Sequence, residues 1–198
     1  MSRADLISPL RFMIQLHAQL RRFPRLVEGA YYAALSNREK TFSLGWALER
    51  ATKAHPERPA VMDETRRLSY REFNAWANRL AWSLKGDGVR HGTVVAVMLE
   101  NRLEQLALLA ALAKLGAVAA LINTTQRGKV LTHSLNLVSP TFFVVGEELL
   151  DAFKDVRKDV EGGHAGCYWL ADQDTLADPG KAPRGWKNLA ALQQDMSD

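Results

Sequence analysis

Cysteine is almost absent from this chain of 198 residues, and that scarcity limits the kind of protein it can be. A single cysteine, Cys167, cannot build an internal disulfide framework, so the composition fits a protein of a reducing, cytoplasmic compartment. Cys167 begins the apolar segment Cys-Tyr-Trp-Leu, which is typical of a strand. We therefore expect a buried, unreactive thiol rather than a nucleophile.

Short motifs that carry chemistry are also missing. The sequence has no G-x-G-x-x-G loop, no G-x-S-x-G nucleophile elbow, and no C-x-x-C or H-x-x-x-H pair for a metal ion. Gly128-Lys129 lacks both the earlier glycine and the following Ser or Thr of a Walker loop. The sequence therefore assigns no catalytic residue and no metal ligand.

Positive charge is unevenly distributed along the chain. Residues 1–40 contain seven basic and three acidic side chains, whereas the remaining residues contain nineteen of each. This distribution does not support a basic nucleic-acid-binding surface that extends over the whole chain, and we predict no nucleic-acid partner. The basic segment predicts an amphipathic helix from Ser8 to Phe23, whose arginines exclude a secretory signal. This helix either binds an anionic membrane surface through residues 3–25 or packs on its own domain; both alternatives stay open.

The apolar stretch at residues 94–122 has two interpretations. The first is a βαβ unit with buried strands at 94–99 and 117–122 and a helix at 103–115. Asn101 and Glu104 would form a capping box at the start of this helix, and Gly116 would end it. The second is a membrane span from Leu103 to Ile122, which the central Lys114 disfavours by about 3 kcal/mol. We therefore predict the βαβ unit.

Helical and strand patterns alternate through the rest of the chain. The predicted segments are a helix at 42–55, a hairpin at 59–68, a helix at 69–84, a helix at 129–137, a strand at 141–145, a helix at 147–160, a strand at 167–170 and a final helix at 186–194. This alternation predicts the α/β class, with an open, mainly parallel sheet and helices on both faces. We divide the chain into a basic extension (1–40) and an α/β domain (41–198).

One polar loop lies where a ligand of such a sheet would bind. Asn123, Thr124, Thr125 and Arg127 follow the carboxyl end of a predicted parallel strand and precede a helix. Helix N-termini favour anions, so these residues are candidates for binding a nucleotide. The alternative, an ordinary polar connection between strand and helix, is favoured over a binding site.

Two longer segments resemble a known family. They are PERPAVMDETRRLSYREFNAWANRLAWSL (56–84) and GVRHGTVVAVMLENRLEQLALLAALAKLGAVAALINTTQRGK (88–129). LSYREF resembles the first core motif of the adenylate-forming acyl-CoA synthetases, and LAKLGAVAALIN resembles the second. INTTQRGKVLTHSL is most similar to the fatty acid transport protein branch, the very-long-chain acyl-CoA synthetases. The resemblance covers residues 42–145 well and identifies 41–198 as part of an AMP-binding N-terminal domain.

The resemblance implies a fatty-acid–CoA ligase, which forms an acyl-adenylate from ATP with Mg²⁺ and then a thioester with coenzyme A. The family's Ser/Thr/Gly-rich loop with lysine, its adenine- and ribose-binding motifs and its C-terminal catalytic lysine have no counterpart here. We therefore expect the N-terminal piece of a long- or very-long-chain enzyme, inactive by itself and peripheral on the inner face of a membrane. The alternatives are a free-standing membrane-surface module without catalysis and a generic nucleotide-binding α/β protein.

Overall fold

The computed structural model describes residues 27, 29, 42–162, 165–171 and 182–190. Residues 43–198 group by their contacts into one compact unit, to which the elements below belong. The predicted basic helix and the predicted membrane contact lie outside the described residues. The division of the chain at residue 40 therefore stays a prediction.

Helices and strands alternate along the described residues, as the sequence predicts. In chain order they are α1 (Leu44–Ala54), β1 (Pro59–Met62), β2 (Arg67–Ser69), α2 (Tyr70–Gly86), β3 (Val94–Met98), α3 (Leu103–Leu115), β4 (Val118–Leu121), α4 (Gly128–Val138), β5 (Phe142–Gly146), α5 (Leu150–Val156), β6 (Gly166–Leu170) and β7 (Lys187–Asn188). Short 3₁₀ turns flank α5 on both sides. Strands β1 and β2 form the predicted antiparallel hairpin.

The other five described strands form one parallel sheet in the order β4-β3-β5-β6-β7. Side chains alternate between its two faces, so each face has its own core. Val95 and Val97 of β3 pack with α1, α2 and α3 on one face. Ala96 and Met98 of the same strand pack with α4 and α5 on the other face. The predicted α/β class, with helices on both faces of a parallel sheet, is confirmed.

The ends of the two longest helices follow from local sequence. Ser69 caps α2, and the Glu72 carboxylate accepts a hydrogen bond from the Ser69 backbone N–H, which completes the predicted capping box. Gly116 ends α3 with φ of 66°, a left-handed conformation that glycine adopts without strain. Strand β4 then follows separately, so the βαβ interpretation is confirmed. No helix in the described part of the chain is long and apolar enough to cross a membrane.

The predicted capping box at the start of α3 is wrong. Arg102, not Asn101, occupies the N-cap position, and its side chain makes no capping hydrogen bond. The other half of the predicted box, Glu104, is buried and accepts two hydrogen bonds from Arg66 instead. A buried carboxylate is stabilised more by an opposite charge than by one backbone N–H, so the ion pair determines the geometry here.

Two predictions about strands are also wrong. Strand β4 is not buried on both faces, because it lies at the edge of the sheet with Val118 and Leu121 exposed. An entirely apolar run does not distinguish an edge strand from a central one. The helix predicted from Trp186 is replaced, in residues 187–188, by strand β7. The free edge of β6 explains this, since the Leu189 N–H donates to the Trp169 carbonyl at 2.8 Å.

Candidate functional site

The order of the strands defines where a ligand of this sheet would bind. From β3 the chain passes through α3 to β4 on one side, then through α4 to β5 on the other side. Helix α3, which follows β3, and helix α5, which follows β5, cover opposite faces, so the connections diverge at the carboxyl ends of β3 and β5. Open α/β sheets bind ligands at such a switch point. We name this place the switch-point crevice, defined by residues 99–102 and 146–148.

An ion pair fills the switch-point crevice. Arg102, which follows β3, lies 3.5 Å from the carboxylate of Glu148, which follows β5. Both side chains are nearly buried, with exposed fractions of 10% and 13%. Arg102 Nη1 also donates to the Ala171 carbonyl at 2.9 Å, and Glu148 Oε1 accepts from the Glu100 N–H at 3.1 Å. These contacts connect the carboxyl ends of β3, β5 and β6.

Gly146 makes room for this arrangement. A Cβ atom at residue 146 would overlap the carboxylate of Glu148. The Glu148 carboxylate can therefore lie against the end of β5 only because residue 146 has no side chain. Sequence reasoning did not identify Arg102 and Glu148, although Arg102 lies four residues after β3 and Glu148 lies two residues after β5.

The predicted loop of Asn123, Thr124, Thr125 and Arg127 lies one strand away from the crevice, after edge strand β4. Asn123 Oδ1 accepts hydrogen bonds from the backbone N–H and the hydroxyl of Thr125, both at 2.9 Å. Arg127 Nη1 donates to the carbonyls of Thr124 and Gln126 at 2.6 and 2.7 Å. The structure thus brings the four residues together, but they hydrogen-bond within their own loop. Their assignment to nucleotide binding stays a prediction.

A second polar cluster joins the hairpin to the start of α3. Arg66 Nη1 donates to Glu104 Oε1 at 2.6 Å, and Arg66 Nη2 donates to Asp63 Oδ2 at 2.9 Å. The hydrogen bond to Glu104 raises the pKa of Arg66. Hydrogen bonds from Thr65 and Arg66, the backbone N–H of Thr65 first among them, hold the pKa of Asp63 at about 2. Asp63 and Arg66 therefore stay charged at neutral pH.

A third cluster lies at the opposite, amino edge of the sheet. The Tyr168 hydroxyl donates to Asp87 Oδ2 at 2.7 Å, and Lys187 pairs with the other oxygen of Asp87. Burial raises the pKa of Tyr168, so the phenol stays protonated and remains a donor. Partial burial likewise raises the pKa of Cys167, which is half-buried and not fully buried as predicted. This cluster joins the end of α2 to β6 and β7, away from the carboxyl ends of the strands.

The described residues do not fit the phosphates or the metal ion of a bound nucleotide as they stand. At the switch-point crevice, the buried charges of Arg102 and Glu148 neutralise each other, and Glu100 and Glu147 add only negative charge. In the described ranges, no three His, Cys, Asp or Glu residues come together in a group that could hold a metal ion. We therefore derive no catalytic step through ATP or Mg²⁺ from these residues.

Similarity to known proteins extends over most of the chain. The family model for AMP-binding enzymes matches residues 48–194. The chain is 33% identical, over 129 residues, to the medium/long-chain-fatty-acid–CoA ligase FadD6 of Mycobacterium tuberculosis, covering 65% of this chain and 22% of that protein. It is 30% identical, over 106 residues, to long-chain fatty acid transport protein 6 of Mus musculus, covering 53% of this chain and 17% of that protein.

The fold is similar as well. The structure of a long-chain-fatty-acid CoA ligase from Rhodopseudomonas palustris superimposes with a TM-score of 0.67 and 27% identity, covering 78% of this chain and 37% of that one. The chain thus spans about a fifth to a third of the length of these relatives. These similarities do not favour a free-standing membrane-surface module. Together with the parallel sheet and its helices, they show that the chain belongs to the family of AMP-binding enzymes, the adenylate-forming acyl-CoA ligases.

Proposed function

We propose that this chain supplies the N-terminal part of a long- or very-long-chain fatty-acid–CoA ligase, and that residues 1–198 have no ligase activity by themselves. One observation carries the proposal. The chain is 33% identical to the fatty-acid–CoA ligase FadD6 over 129 residues, yet the matched segment covers only 22% of that enzyme. The reaction proposed for the whole enzyme is ATP-dependent formation of an acyl-adenylate, followed by formation of the acyl-CoA thioester.

The role proposed for residues 43–190 is to form and stabilise the N-terminal part of the adenylate-forming domain. Three observations support this role. The switch-point crevice contains an internal ion pair, the polar loop after β4 hydrogen-bonds to itself, and the sequence has no Ser/Thr/Gly-rich loop with lysine. ATP, Mg²⁺ and coenzyme A are therefore proposed as ligands of the whole enzyme, and no described residue is assigned to them.

The substrate and the location are further parts of the proposal. The similarity to a long-chain fatty acid transport protein supports a fatty acid as the substrate. The seven basic side chains in residues 1–40 support a peripheral location on the inner, anionic surface of a membrane. We propose that residues 3–25 bind that surface and that the enzyme takes its acyl substrate from it.

An activity assay tests the proposal. The polypeptide of residues 1–198 is incubated with ATP, Mg²⁺, coenzyme A and oleate, and pyrophosphate release is measured. We expect no release above the background without protein. The same assay is run on the longest product of the gene, for which we expect turnover that requires the fatty acid. Turnover by residues 1–198 alone, or a gene whose reading frame encodes no Ser/Thr/Gly-rich loop with lysine, would contradict the proposal.

A further inference from the structure

A cleft of about 690 Å³ lies between α2 and the hairpin, and both partners of the Arg66–Glu104 ion pair line it. One face of α2 forms its wall, because Glu72, Trp76 and Arg79 lie at helical positions i, i+4 and i+7. Hairpin residue Arg66 and α3 residue Glu104 complete the lining. The cleft is separate from the switch-point crevice and from the loop after β4.

The acidic groups of the cleft are already engaged. Glu104 accepts hydrogen bonds from both terminal nitrogens of Arg66. Glu72 accepts from the backbone N–H and the hydroxyl of Ser69 at 2.8 and 2.7 Å, as part of the capping box. Arg71, a third basic residue of the lining, pairs with Glu57. Glu104 is therefore paired with a cation, whereas Glu72 is bonded only to the uncharged donors of Ser69.

Two donors of the cleft have no acceptor. Trp76 is only 7% exposed, and its indole Nε1 is buried without a hydrogen-bond partner. Arg79 Nε is also buried without a partner, and no ion pair to Arg79 occurs among the described residues. Indole and guanidinium nitrogens only donate hydrogen bonds, so they cannot pair with each other. Buried donors without acceptors are rare in proteins because each one destabilises the fold.

We propose that Trp76 and Arg79 form a binding subsite for the carboxylate of a small organic acid. A carboxylate supplies two acceptor oxygens for the two unpaired donors and one negative charge for Arg79, the one arginine of the described lining without an acidic partner. Leu68 and Ala75 also line the cleft and provide apolar surface for the aliphatic carbons next to the carboxylate. The subsite lies outside the proposed ligase function and does not depend on it.

The test follows the indole N–H of Trp76 by NMR in the polypeptide of residues 1–198 with ¹⁵N-labelled tryptophan. The chain has five tryptophans, so a Trp76→Phe variant identifies the signal. Sodium acetate, sodium octanoate and sodium phosphate are titrated separately, with sodium chloride at equal ionic strength as the reference. We expect both carboxylates to shift the Trp76 signal. Octanoate should bind about tenfold more tightly than acetate, the effect of burying roughly two methylene groups.

A matched pair of variants separates the subsite from general charge. Arg79→Gln removes the unpaired cation, and we expect it to weaken octanoate binding roughly 10- to 100-fold, the usual effect of losing a charged hydrogen bond. Arg71→Gln removes the same charge from the same cleft, but Arg71 is well exposed and already paired. It should change the affinity by less than about twofold.

Thermal melts without ligand provide a second measurement. Because Arg79 has no acceptor in the unliganded chain, Arg79→Gln should leave Tm unchanged or raise it. A Tm loss greater than that of Arg71→Gln would show a structural role and overturn the proposal. It would also be overturned if neither carboxylate shifts the Trp76 signal, if phosphate alone shifts it, or if both arginine variants weaken binding equally.

Discussion

The switch-point crevice and the cleft beside α2 both contain buried charged groups, but the two sites differ in whether the arginine has an acidic partner. In the crevice, Arg102 lies next to Glu148 and also donates to a backbone carbonyl, although its Nε, like that of Arg79, is buried without a partner. In the cleft, Arg79 has no acidic partner among the described residues, and the neighbouring indole N–H also lacks an acceptor. A charge that the fold neutralises serves stability, whereas a charge left unmatched indicates a partner from outside.

The largest effect is expected at the crevice. Glu148→Gln would leave Arg102 charged and nearly buried without its counter-ion, which should lower the free energy of unfolding by about 3 kcal/mol. Urea denaturation measures this change. Asp151→Asn is the matched control, because Asp151 is almost fully exposed and its pair with Lys154 lies on the helix surface. The control should change stability by less than about 0.5 kcal/mol.

An apolar double variant sharpens this first prediction. Replacing both partners, in Arg102→Met with Glu148→Leu, removes the uncompensated charge and should recover most of the stability lost in Glu148→Gln. If Glu148→Gln is no less stable than the wild type, the crevice does not depend on its ion pair. The contrast with the cleft would then fail.

A smaller loss is expected where α3 begins. Glu104→Gln removes the counter-ion of Arg66, whose side chain is about one-third exposed and keeps its contacts with Asp63. The free energy of unfolding should therefore fall by about 1 to 2 kcal/mol, less than for Glu148→Gln. Parallel urea denaturation of the two variants tests this order. If Glu104→Gln lowers the free energy of unfolding more than Glu148→Gln does, the loss does not depend on how exposed the remaining arginine is.

The smallest of these losses is expected at the other end of α3. Lys114 is only 9% exposed and pairs with Glu49 of α1, which is 53% exposed. The hydrogen bond from Lys114 lowers the pKa of Glu49, so Glu49 is charged at neutral pH. Glu49→Gln should cost about 1 kcal/mol or less, because the flexible lysine can reach water when its partner is lost. Lys114→Met is the paired control, and it should cost no more than Glu49→Gln.

Much of the fold could be predicted from the sequence because it follows from local patterns. The capping box of Ser69 and Glu72, the glycine stop at Gly116 and the apolar strands each depend on a few neighbouring residues. The errors concern choices that are made between distant residues. Glu104 pairs with Arg66, 38 positions earlier in the chain, and that pairing cannot be read from the residues around Glu104.

The candidate site was less predictable for the same reason. The loop after β4 was identified by its position, and the structure places it there, but next to an edge strand rather than at the switch point. The switch point depends on the order of the strands, which brings Arg102 and Glu148 together from 46 positions apart. The sequence of α3 did contain one indication of ion pairs with distant residues. Glu104 and Lys114 are its only charged residues, and each is buried and paired with another element.

The last prediction concerns pH and the Asp63 carboxylate beside the Arg66–Glu104 pair. Its pKa in the fold is about 2, below the usual 3.8, so the folded state binds fewer protons than the unfolded state. The stabilisation is therefore complete above pH 3.8 and is lost as the pH falls towards about 2. Asp63→Asn should be less stable than the wild type at pH 6, and the difference should shrink as the pH falls through this range. Thermal melts between pH 6 and pH 2.5 measure it.

Thr65→Ala is the control for this pH dependence. It removes the Thr65 hydroxyl but keeps the backbone N–H that contributes most to lowering the pKa of Asp63. The variant should therefore keep most of the acid sensitivity of the wild type. A stability difference between Asp63→Asn and the wild type that stays constant across this range would show that Asp63 acts through its shape and not its charge. In that case Asp63 would be no further example of a charge that stabilises the fold, and the comparison would depend only on Arg102 in the crevice and Arg79 in the cleft.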